Sequence, residues 1–346
     1  MNEVLTPILA QLTRGIELSA DAVDAALAEL FEGRVSDVQA AAFIVALRTK
    51  GETEDELAAI IRAWRRYGTP VNVPDGAIDT CGTGGDRSGS INVSTMAALV
   101  AAGAGARVVK HGNRAASSQA GSADVLEELG VMIELGPEGV AQCVAEAGVG
   151  FCFAPRYNPA MRFLGPARKE IGVPTTFNFL GPLANPARVR RQAVGVSDGA
   201  MATRMLGALR SLGTERAMVF YGGDGLDELT TTTTSTVHEL ADGMLHEYLV
   251  DPLDLGIPRA QPADLAGGNT TTNAMMLTAV LGGEKGPHRD LVMLNAAAAL
   301  VVAGIAPDLA AGVEVAAASL DTGAAERALE NLVRVSRAMH AAEGEA

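Results

Sequence analysis

GTGGD at residues 82–86 begins a segment that is rich in hydrogen-bond donors and lies between two apolar stretches. Further along lie KHGNR at 110–114 and SSQAGS at 117–122, which add a lysine, hydroxyls and side-chain amides. Glycine lets the backbone approach a ligand closely, and the polar side chains supply donors. We therefore expect residues 79–124 to form a cradle for a ligand rich in phosphate oxygens.

Short apolar stretches alternate with helix-like stretches along most of the chain. Strand-like stretches lie at 77–79, 107–109, 149–153, 192–196 and 216–221, and the threonine run 230–234 with 237–250 suits strands or a hairpin. Helix-like stretches lie at 92–102, 122–129, 137–147, 159–171, 200–212 and from 262 onward. This alternation predicts a parallel sheet with helices on its faces, whose ligands bind at the carboxyl ends of the strands. Ser122 is expected to cap the second helix.

The first 68 residues predict helices alone. SDVQ at 36–39 and TEDE at 53–56 fit the capping box, in which the first and fourth side chains satisfy free amides. Residues expected to face the core at near-helical spacing are Val38, Ala41, Ala42, Val45 and Leu47.

We expect an α/β protein in which a small all-helical N-terminal lobe, residues 1–70, joins a larger α/β domain, residues 71–346. The larger domain would have a central, mostly parallel sheet flanked by helices. The helices around 158–185, including an irregular apolar segment at 176–186, are expected to pack on the lobe.

Composition narrows the possible partners. The 346 residues carry a formal net charge of −14, and the isoelectric point is about 4.8, which disfavours nucleic acid and anionic membranes. Cys81, Cys143 and Cys152 form no CxxC pair, so a disulfide framework is not expected. The N-terminus lacks a signal-peptide pattern, and the apolar run 296–303 is far shorter than the roughly 20 residues of a membrane-spanning helix. We expect a soluble cytoplasmic protein.

The cradle matches neither of two common phosphate-binding signatures, because GxxxxGK[ST] and the Rossmann GxGxxG are both absent. Asn92, Ser94 and Thr95 stand at a predicted helix start, where free amides and the helix dipole favour an anion by ~0.3–1 kcal/mol. Lys110 adds a positive charge, and charge-assisted hydrogen bonds contribute ~1.5–3 kcal/mol each. These residues together predict phosphate binding.

Asp227 and Glu228 follow a predicted strand and a glycine-rich turn. Two carboxylates that face a phosphate site repel the ligand unless a cation bridges them, and Mg²⁺ prefers one or two carboxylates with phosphate oxygens. The alternative is a solvated turn. Asp86 could also bind a cation, or it could accept hydrogen bonds from the amides of its own loop. His111 could line the pocket or carry protons. Arg168, taken by itself, indicates only a surface arginine.

Four ordered motifs occur across the chain: GTGGDxxxxxNxST at 82–95, KHGNRAASSxxGSAD at 110–124, FNFLGPLANP at 177–186 and GLDE at 225–228. They resemble the anthranilate phosphoribosyltransferases of the tryptophan pathway, and the resemblance covers essentially the whole chain. It implies an active site between a helical lobe and a larger α/β lobe, and a homodimer through the helical lobe. It also implies 5-phosphoribosyl 1-diphosphate and anthranilate as substrates, with Mg²⁺.

The resemblance further implies roles for individual residues. Those expected to bind 5-phosphoribosyl 1-diphosphate are Gly82, Gly85, Asp86, Ser90, Asn92, Val93, Ser94, Thr95, Lys110, His111, Gly112, Asn113, Arg114, Ala115, Ala116, Ser117, Ser118 and Ser122. Those expected to face anthranilate are Gly82, Asn113 and Arg168, and those expected to hold Mg²⁺ are Ser94, Asp227 and Glu228. The planar guanidinium of Arg168 would bind the anthranilate carboxylate.

Three positions depart from the family pattern. Asn158 stands where many members have a histidine beside the acceptor pocket, Pro174 where many have arginine, and Arg87 where glycine is common. Because of Asn158, a phosphoribosyltransferase for another aromatic acid stays an alternative. A pyrimidine nucleoside phosphorylase is disfavoured by the Asp227–Glu228 pair, and a nucleic-acid-binding relative by 41 acidic against 27 basic residues.

Overall fold

The computed structural model describes residues 2–115 and 119–344. The chain begins with a lobe of helices: α1 (Leu5–Leu12), α2 (Ala20–Phe31), α3 (Asp37–Lys50) and α4 (Glu54–Tyr67). Local sequence sets where they start, because Ser19 and Ser36 accept amide hydrogen bonds in the first turns of α2 and α3. Thr53 and Glu56 form the complete capping box of α4. The predicted all-helical lobe is confirmed.

The apolar face predicted for α3 is wrong in part. Phe43, Ile44 and Leu47 are fully buried, whereas the side chain of Val38 is 78% exposed and that of Val45 is 41% exposed. Apolar residues surround much of this helix, so their spacing alone does not single out one face. Packing against the neighbouring helices selects the larger side chains.

Within the described residues, the α/β part of the chain contains one seven-stranded sheet. Its strands are β1 (Ile78–Gly82), β2 (Val108–Gly112), β3 (Val149–Phe153), β4 (Arg191–Gly195), β5 (Arg216–Gly222), β6 (Ser235–Ala241) and β7 (Met244–Val250). Their spatial order is β3-β2-β1-β4-β5-β6-β7; β1 to β5 are parallel, and β6 and β7 form an antiparallel hairpin. The predicted, mostly parallel sheet is confirmed, although the threonine run 230–234 precedes β6 and is not a strand.

The sheet has a topological switch point between β1 and β4. From β1 the chain proceeds outward to β2 and β3, and it then returns to place β4 on the other side of β1. Crevices outside the carboxyl ends of strands at such a point are where α/β sheets bind ligands. β1 ends at Gly82 and β2 at Gly112, so both donor-rich loops leave the sheet at this edge.

Helices cover both faces of the sheet. They are α5 (Val93–Gly103), α6 (Ser122–Glu128), α7 (Pro137–Ala147), α8 (Ala154–Tyr157), α9 (Gly165–Ile171), α10 (Thr176–Phe179), α11 (Gly199–Ser211), α12 (Thr270–Leu281), α13 (Pro287–Ala303), α14 (Leu309–Asp321) and α15 (Ala324–Gly344), with 3-10 turns at 159–163, 182–184, 252–255 and 262–265. None of the described helices combines the length and the apolar character that crossing a membrane requires.

The helical lobe shares an apolar core with one face of the sheet. Val194 of β4 and Val219 of β5 belong to the same buried cluster as the lobe side chains. The segment between β3 and β4 joins this cluster, since the ring of Phe177 lies 6.0 Å from that of Trp64. The guanidinium of Arg48 lies 5.1 Å from the ring centre of Phe179. Burial against the sheet therefore stabilises the lobe.

Gly195→Ala tests the close approach of β4 to the loop after β5. A Cβ on Gly195 would lie 1.7 Å from the carbonyl oxygen of Asp227, so the backbone there must shift. We expect the free energy of unfolding, measured with denaturant, to fall by ~1–3 kcal/mol. Gly165→Ala is the matched control, because no atom lies within 4 Å of its added Cβ. If both variants lost the same free energy of unfolding, the close contact between Gly195 and Asp227 would be contradicted.

Candidate active site

The glycine loop after β1 is held against two neighbouring segments. The amide of Thr83 donates to the carbonyl oxygen of Gly195 at 2.9 Å, and the amide of Gly84 donates to Oδ2 of Asp227 at 2.6 Å. Gly84 and Gly85 have φ angles of 70° and 89°, a region that favours glycine. The loop thus links β1, β4 and the Asp227 turn.

Lys110 places a buried positive charge near the end of β2. Its Nζ donates to the carbonyl oxygen of Thr80 at 2.9 Å and to Oγ of Ser94, in the first turn of α5, at 3.1 Å. The ammonium group also lies close enough to Asp79 and Glu228 to oppose the rise that burial causes in the pKa of both carboxyls. Lys110 is therefore a positioned cation at the carboxyl end of the sheet.

Asp79 is a buried acid of this site that no motif in the sequence singles out. Its Oδ2 accepts from Nδ2 of Asn185 at 2.8 Å, and its Oδ1 accepts from the amide of His111 at 3.3 Å. Burial raises the pKa of Asp79 to about 6, although Lys110 and these donors lower it. The sequence signal for this residue is an aspartate that directly follows Ala77 and Ile78 in a predicted strand.

Asp86, Asp227 and Glu228 meet beside the glycine loop. Burial raises the pKa of Asp227, and the carboxylate of Asp86 raises it further. Burial, with a smaller effect from Asp227, raises the pKa of Glu228 well above its ordinary value, while the amide of Ser94 donates to Glu228 and lowers it. Oδ2 of Asp86 is buried and has no hydrogen-bond partner among the described residues. Closely spaced acids with an unused oxygen fit a divalent cation.

A cation at this position would need ligands from outside the protein. Across residues 2–115 and 119–344, no group of three or more His, Cys, Asp or Glu side chains is arranged to hold a metal ion. Mg²⁺ commonly binds one or two carboxylates and completes its octahedron with substrate phosphate oxygens and water. The donor set therefore fits Mg²⁺ that arrives with a phosphorylated ligand.

The start of α5 lies beyond the glycine loop and offers further donors. Nδ2 of Asn92 donates to the carbonyl oxygen of Ala120 at 3.2 Å. Oδ1 of Asn92 and Oγ1 of Thr95 are buried without a partner in the part of the chain that is described. Ser90, by contrast, pairs with Ala266 in an isolated β-bridge. The positive end of the dipole of this 11-residue helix favours an anion here.

The loop after β2 contains donors that are already occupied. Oδ1 of Asn113 accepts from the amide of Arg114 at 2.8 Å, and the guanidinium of Arg114 pairs with Asp124 and Glu127. Acidic side chains therefore already balance the charge of Arg114. Three predicted donor-site residues lie outside the described residues: Ala116, Ser117 and Ser118.

The prediction that Ser122 caps α6 is wrong. Gly121 occupies the N-cap position, and the carboxylate of Asp124 accepts from the amides of Gly121 and Ala115 at 3.0 and 2.9 Å. The hydroxyl of Ser122 donates instead to the carbonyl oxygen of Asn113 at 3.3 Å. Asp124 replaces the serine because its carboxylate reaches back to both amides at once.

Arg168 lies on α9 with a largely buried guanidinium group. Its Nη2 donates to the carbonyl oxygen of Phe177 at a long 3.4 Å, and its Nε has no partner among the described residues. Burial lowers the pKa of Arg168. A buried guanidinium with donors to spare fits a ligand carboxylate, which accepts two parallel hydrogen bonds.

Comparison with known proteins places this geometry in a family. Residues 75–326 match the "Glycosyl transferase family, a/b domain", and residues 6–68 match the corresponding "helical bundle domain". The anthranilate phosphoribosyltransferase of Rubrobacter xylanophilus is 50% identical over 335 residues, which cover 96% of this chain and 98% of that protein. The chain belongs to the anthranilate phosphoribosyltransferase family. The enzyme of that name from a Nocardioides species is 51% identical and covers 94% of this chain and 97% of its own length.

Solved structures of this family share the fold of the chain. Anthranilate phosphoribosyltransferase from Thermus thermophilus superposes with a TM-score of 0.90 at 42% identity and covers 95% of this chain and 99% of its own. The Saccharomyces cerevisiae enzyme, solved with PRPP and Mg, gives a TM-score of 0.88 at 25% identity, with 98% and 99% covered. The family, the fold class and the assignment as a glycosyltransferase that the sequence predicts are therefore confirmed.

Proposed function

We propose that the chain transfers the 5-phosphoribosyl group of 5-phosphoribosyl 1-diphosphate to the amine of anthranilate, giving N-(5-phosphoribosyl)anthranilate and diphosphate in tryptophan biosynthesis. One observation carries the donor part of this proposal: Lys110, the start of α5 and the Asp227–Glu228 pair meet at the carboxyl end of one sheet. Relatives that are 50% and 51% identical are named anthranilate phosphoribosyltransferases, which supports anthranilate as the acceptor.

The donor is proposed to bind with its phosphate groups on the glycine loop and the start of α5. Lys110 and Ser94 are already hydrogen-bonded to each other there, so the ammonium group is fixed before the ligand arrives. Donors that need no reorientation stabilise a developing negative charge most effectively. Departure of diphosphate places such charge on the leaving group. We therefore assign Lys110 to electrostatic stabilisation of this step.

Mg²⁺ is proposed to be held by Ser94, Asp227 and Glu228, with Asp86 beside them. When bound with the donor, the ion would neutralise charge on the diphosphate. The yeast relative was solved with PRPP and Mg, which supports this part of the proposal. A phosphorylase that uses inorganic phosphate would not need a cation beside a diphosphate, so the three acids favour the phosphoribosyl transfer.

The acceptor is proposed to bind with its carboxylate on Arg168 and with Gly82 and Asn113 close to its ring. The amine of anthranilate is aromatic and therefore unprotonated at neutral pH. Its attack on the sugar carbon needs no strong base, which agrees with the absence of a Ser-His-Asp arrangement in the sequence. The protein then contributes by orienting the two substrates and by stabilising the departing diphosphate.

Loss of anthranilate fluorescence on addition of 5-phosphoribosyl 1-diphosphate tests the proposed reaction. We expect a decay that requires Mg²⁺ and that is lost in the double variant Asp227→Asn/Glu228→Gln, because amides hold the cation poorly. Asp242→Asn makes the same chemical change at an exposed turn and should retain activity. A wild-type chain that binds the donor calorimetrically but leaves anthranilate unchanged would reject the acceptor.

Arg168→Ala tests the acceptor carboxylate. Removing a charge-assisted pair should raise KM for anthranilate about tenfold or more, because such hydrogen bonds contribute ~1.5–3 kcal/mol. KM for 5-phosphoribosyl 1-diphosphate should change little. Lys169→Ala, an exposed cation on the same helix, is the matched control. Similar increases of KM for both substrates would show that Arg168 has a structural role.

We also propose a cytoplasmic homodimer that forms through the helical lobe. The lobe exposes four aliphatic residues, Val4, Ile16, Val38 and Val45, at 40%, 43%, 78% and 41%. Two of them, Val38 and Val45, lie on α3. A second copy that covers this surface would remove them from water.

Val38→Asp/Val45→Asp tests the dimer by analytical ultracentrifugation. Burying two carboxylates at the interface is unfavourable, so we expect the wild type to sediment as a dimer and the variant as a monomer. Met244→Asp places a charge on an equally exposed apolar residue at the far edge of the sheet and should leave the dimer intact. If the variant still dimerises, the interface does not include Val38 and Val45.

A further inference from the structure

A chain of buried hydrogen bonds links the helical lobe to the end of β2. Nε1 of Trp64, on α4, donates to Oδ1 of Asn158 at 2.9 Å, and Nδ2 of Asn158 lies 3.2 Å from Nε2 of His111. Nδ1 of His111 lies 3.1 Å from the carbonyl oxygen of Gly181. These hydrogen bonds therefore join the lobe, the segment after β3, the end of β2 and the FNFLGPLANP segment.

The chemistry of the four groups allows only one direction for the protons. The indole N–H of Trp64 can only donate, so the atom of Asn158 that faces it must be the carbonyl oxygen. The amide nitrogen of Asn158 then faces His111 and can likewise only donate, so Nε2 of His111 must be an unprotonated acceptor. Nδ1 consequently carries the proton of the ring and donates it to the carbonyl oxygen of Gly181.

The surroundings of His111 agree with a neutral ring. Burial lowers the pKa of His111 to about 4; the hydrogen bond to Gly181 opposes this, and the charge of Lys110 lowers the pKa further. Asp79 accepts from the backbone amide of His111, and Cys152 is the partner of His111 in the register of β2 with β3. Burial raises the pKa of the Cys152 thiol, so it stays neutral.

We propose that Asn158 is a positioning residue that locks His111 in the neutral Nδ1–H form and thereby fixes the end of β2, which contains Lys110, and the loop that begins at Asn113 against the helical lobe. Both nitrogens of His111 are engaged, so the ring carries no proton in the reaction. This assignment rests on the proposed function insofar as it concerns catalysis. The proton arrangement itself is independent of any substrate.

The location of His111 explains why its orientation matters. It directly follows Lys110, whose ammonium group contacts Ser94, and it precedes Gly112 and Asn113. The hydrogen bonds of the ring to Asn158 and Gly181 tie this part of the backbone to the segment after β3 and to the FNFLGPLANP segment. A displacement of about 1 Å in a substrate-positioning group can cost ~100-fold in rate.

Substitutions at Asn158 can separate the effect of the donor–acceptor order of these hydrogen bonds from the effect of side-chain packing. In Asn158→Asp the side chain keeps its size and, when ionised, still accepts from Trp64 but has no proton to donate to Nε2 of His111. In Asn158→His the added ring can accept with one nitrogen and donate with the other, so it can preserve the direction. Trp64→Phe removes the first donor and retains an aromatic ring.

The experiment is a ¹H–¹⁵N spectrum of protein labelled at its five histidines, with the signal of His111 assigned by its loss in His111→Gln. In the wild type we expect a protonated Nδ1 and a free Nε2 at neutral pH. Asn158→Asp should protonate Nε2, Asn158→His should keep it free, and Trp64→Phe should leave Nδ1 protonated, because the carbonyl oxygen of Gly181 still accepts from it. A wild-type ring that carries its proton on Nε2, or an unchanged ring in Asn158→Asp, would overturn the assignment.

Kinetics of the same variants test the positioning role. We expect kcat to fall about tenfold or more in Asn158→Asp and less in Asn158→His, because only the first reverses a hydrogen bond beside the donor site. The kcat of Asn158→Asp should also gain a dependence on pH near neutrality, where His111 would titrate. Equal losses in both variants, with pH profiles like that of the wild type, would show a packing role only. Failure of the proposed reaction can be distinguished from failure of this assignment, because a wild-type protein without activity would still show a protonated Nδ1 and a free Nε2 of His111.

Discussion

The burial of several charges at one end of the sheet is the constraint on which the rest of the structure depends. Lys110 is 3% exposed, Glu228 7% and Asp227 8%, and Asp79 is fully buried. A buried charge without a partner costs several kcal/mol, so the surrounding backbone must hold these groups at fixed distances. The glycine loop, β4 and α5 do so through short hydrogen bonds. Burial raises the pKa of all three carboxyls, and Lys110 opposes this rise at Asp79 and Glu228.

Polar contacts as well as apolar burial tie the helical lobe to this site. The carboxylate of Glu52, between α3 and α4, has no exposed surface and accepts from the hydroxyl of Thr176. It also pairs with Arg48 at 3.4 Å and with Arg204 of α11 at 3.3 Å. Because a buried carboxylate is unfavourable without such partners, movement of the lobe away from α10 and α11 would expose or orphan it. The lobe, the FNFLGPLANP segment and α11 therefore behave as one support for the site.

Much of the fold follows from local sequence, whereas several contacts at the site do not. Helix starts and the parallel strands were predictable because capping residues, glycines and apolar runs mark them. The positions of the two donor-rich loops, after β1 and after β2, were predictable for the same reason. The buried face of α3 was not, because Val38 and Phe43 are both apolar and only the neighbouring helices distinguish them. The cap of α6 was missed because Asp124 competes with Ser122 from within the helix. Partners such as Trp64 and Asn158 are far apart in sequence, so no local pattern joins them.

The chemistry of the reaction explains how a histidine beside the donor site can serve structure alone. An aromatic amine attacks without a strong base, so a proton acceptor at His111 would add little to the rate. A protonated ring there would instead place a second positive charge next to Lys110. Its protonated Nε2 would also face the N–H of the Asn158 amide, so that two hydrogen-bond donors would point at each other. A neutral His111 with both nitrogens hydrogen-bonded avoids each of these costs, and it leaves Lys110 as the one positioned charge at the end of β2.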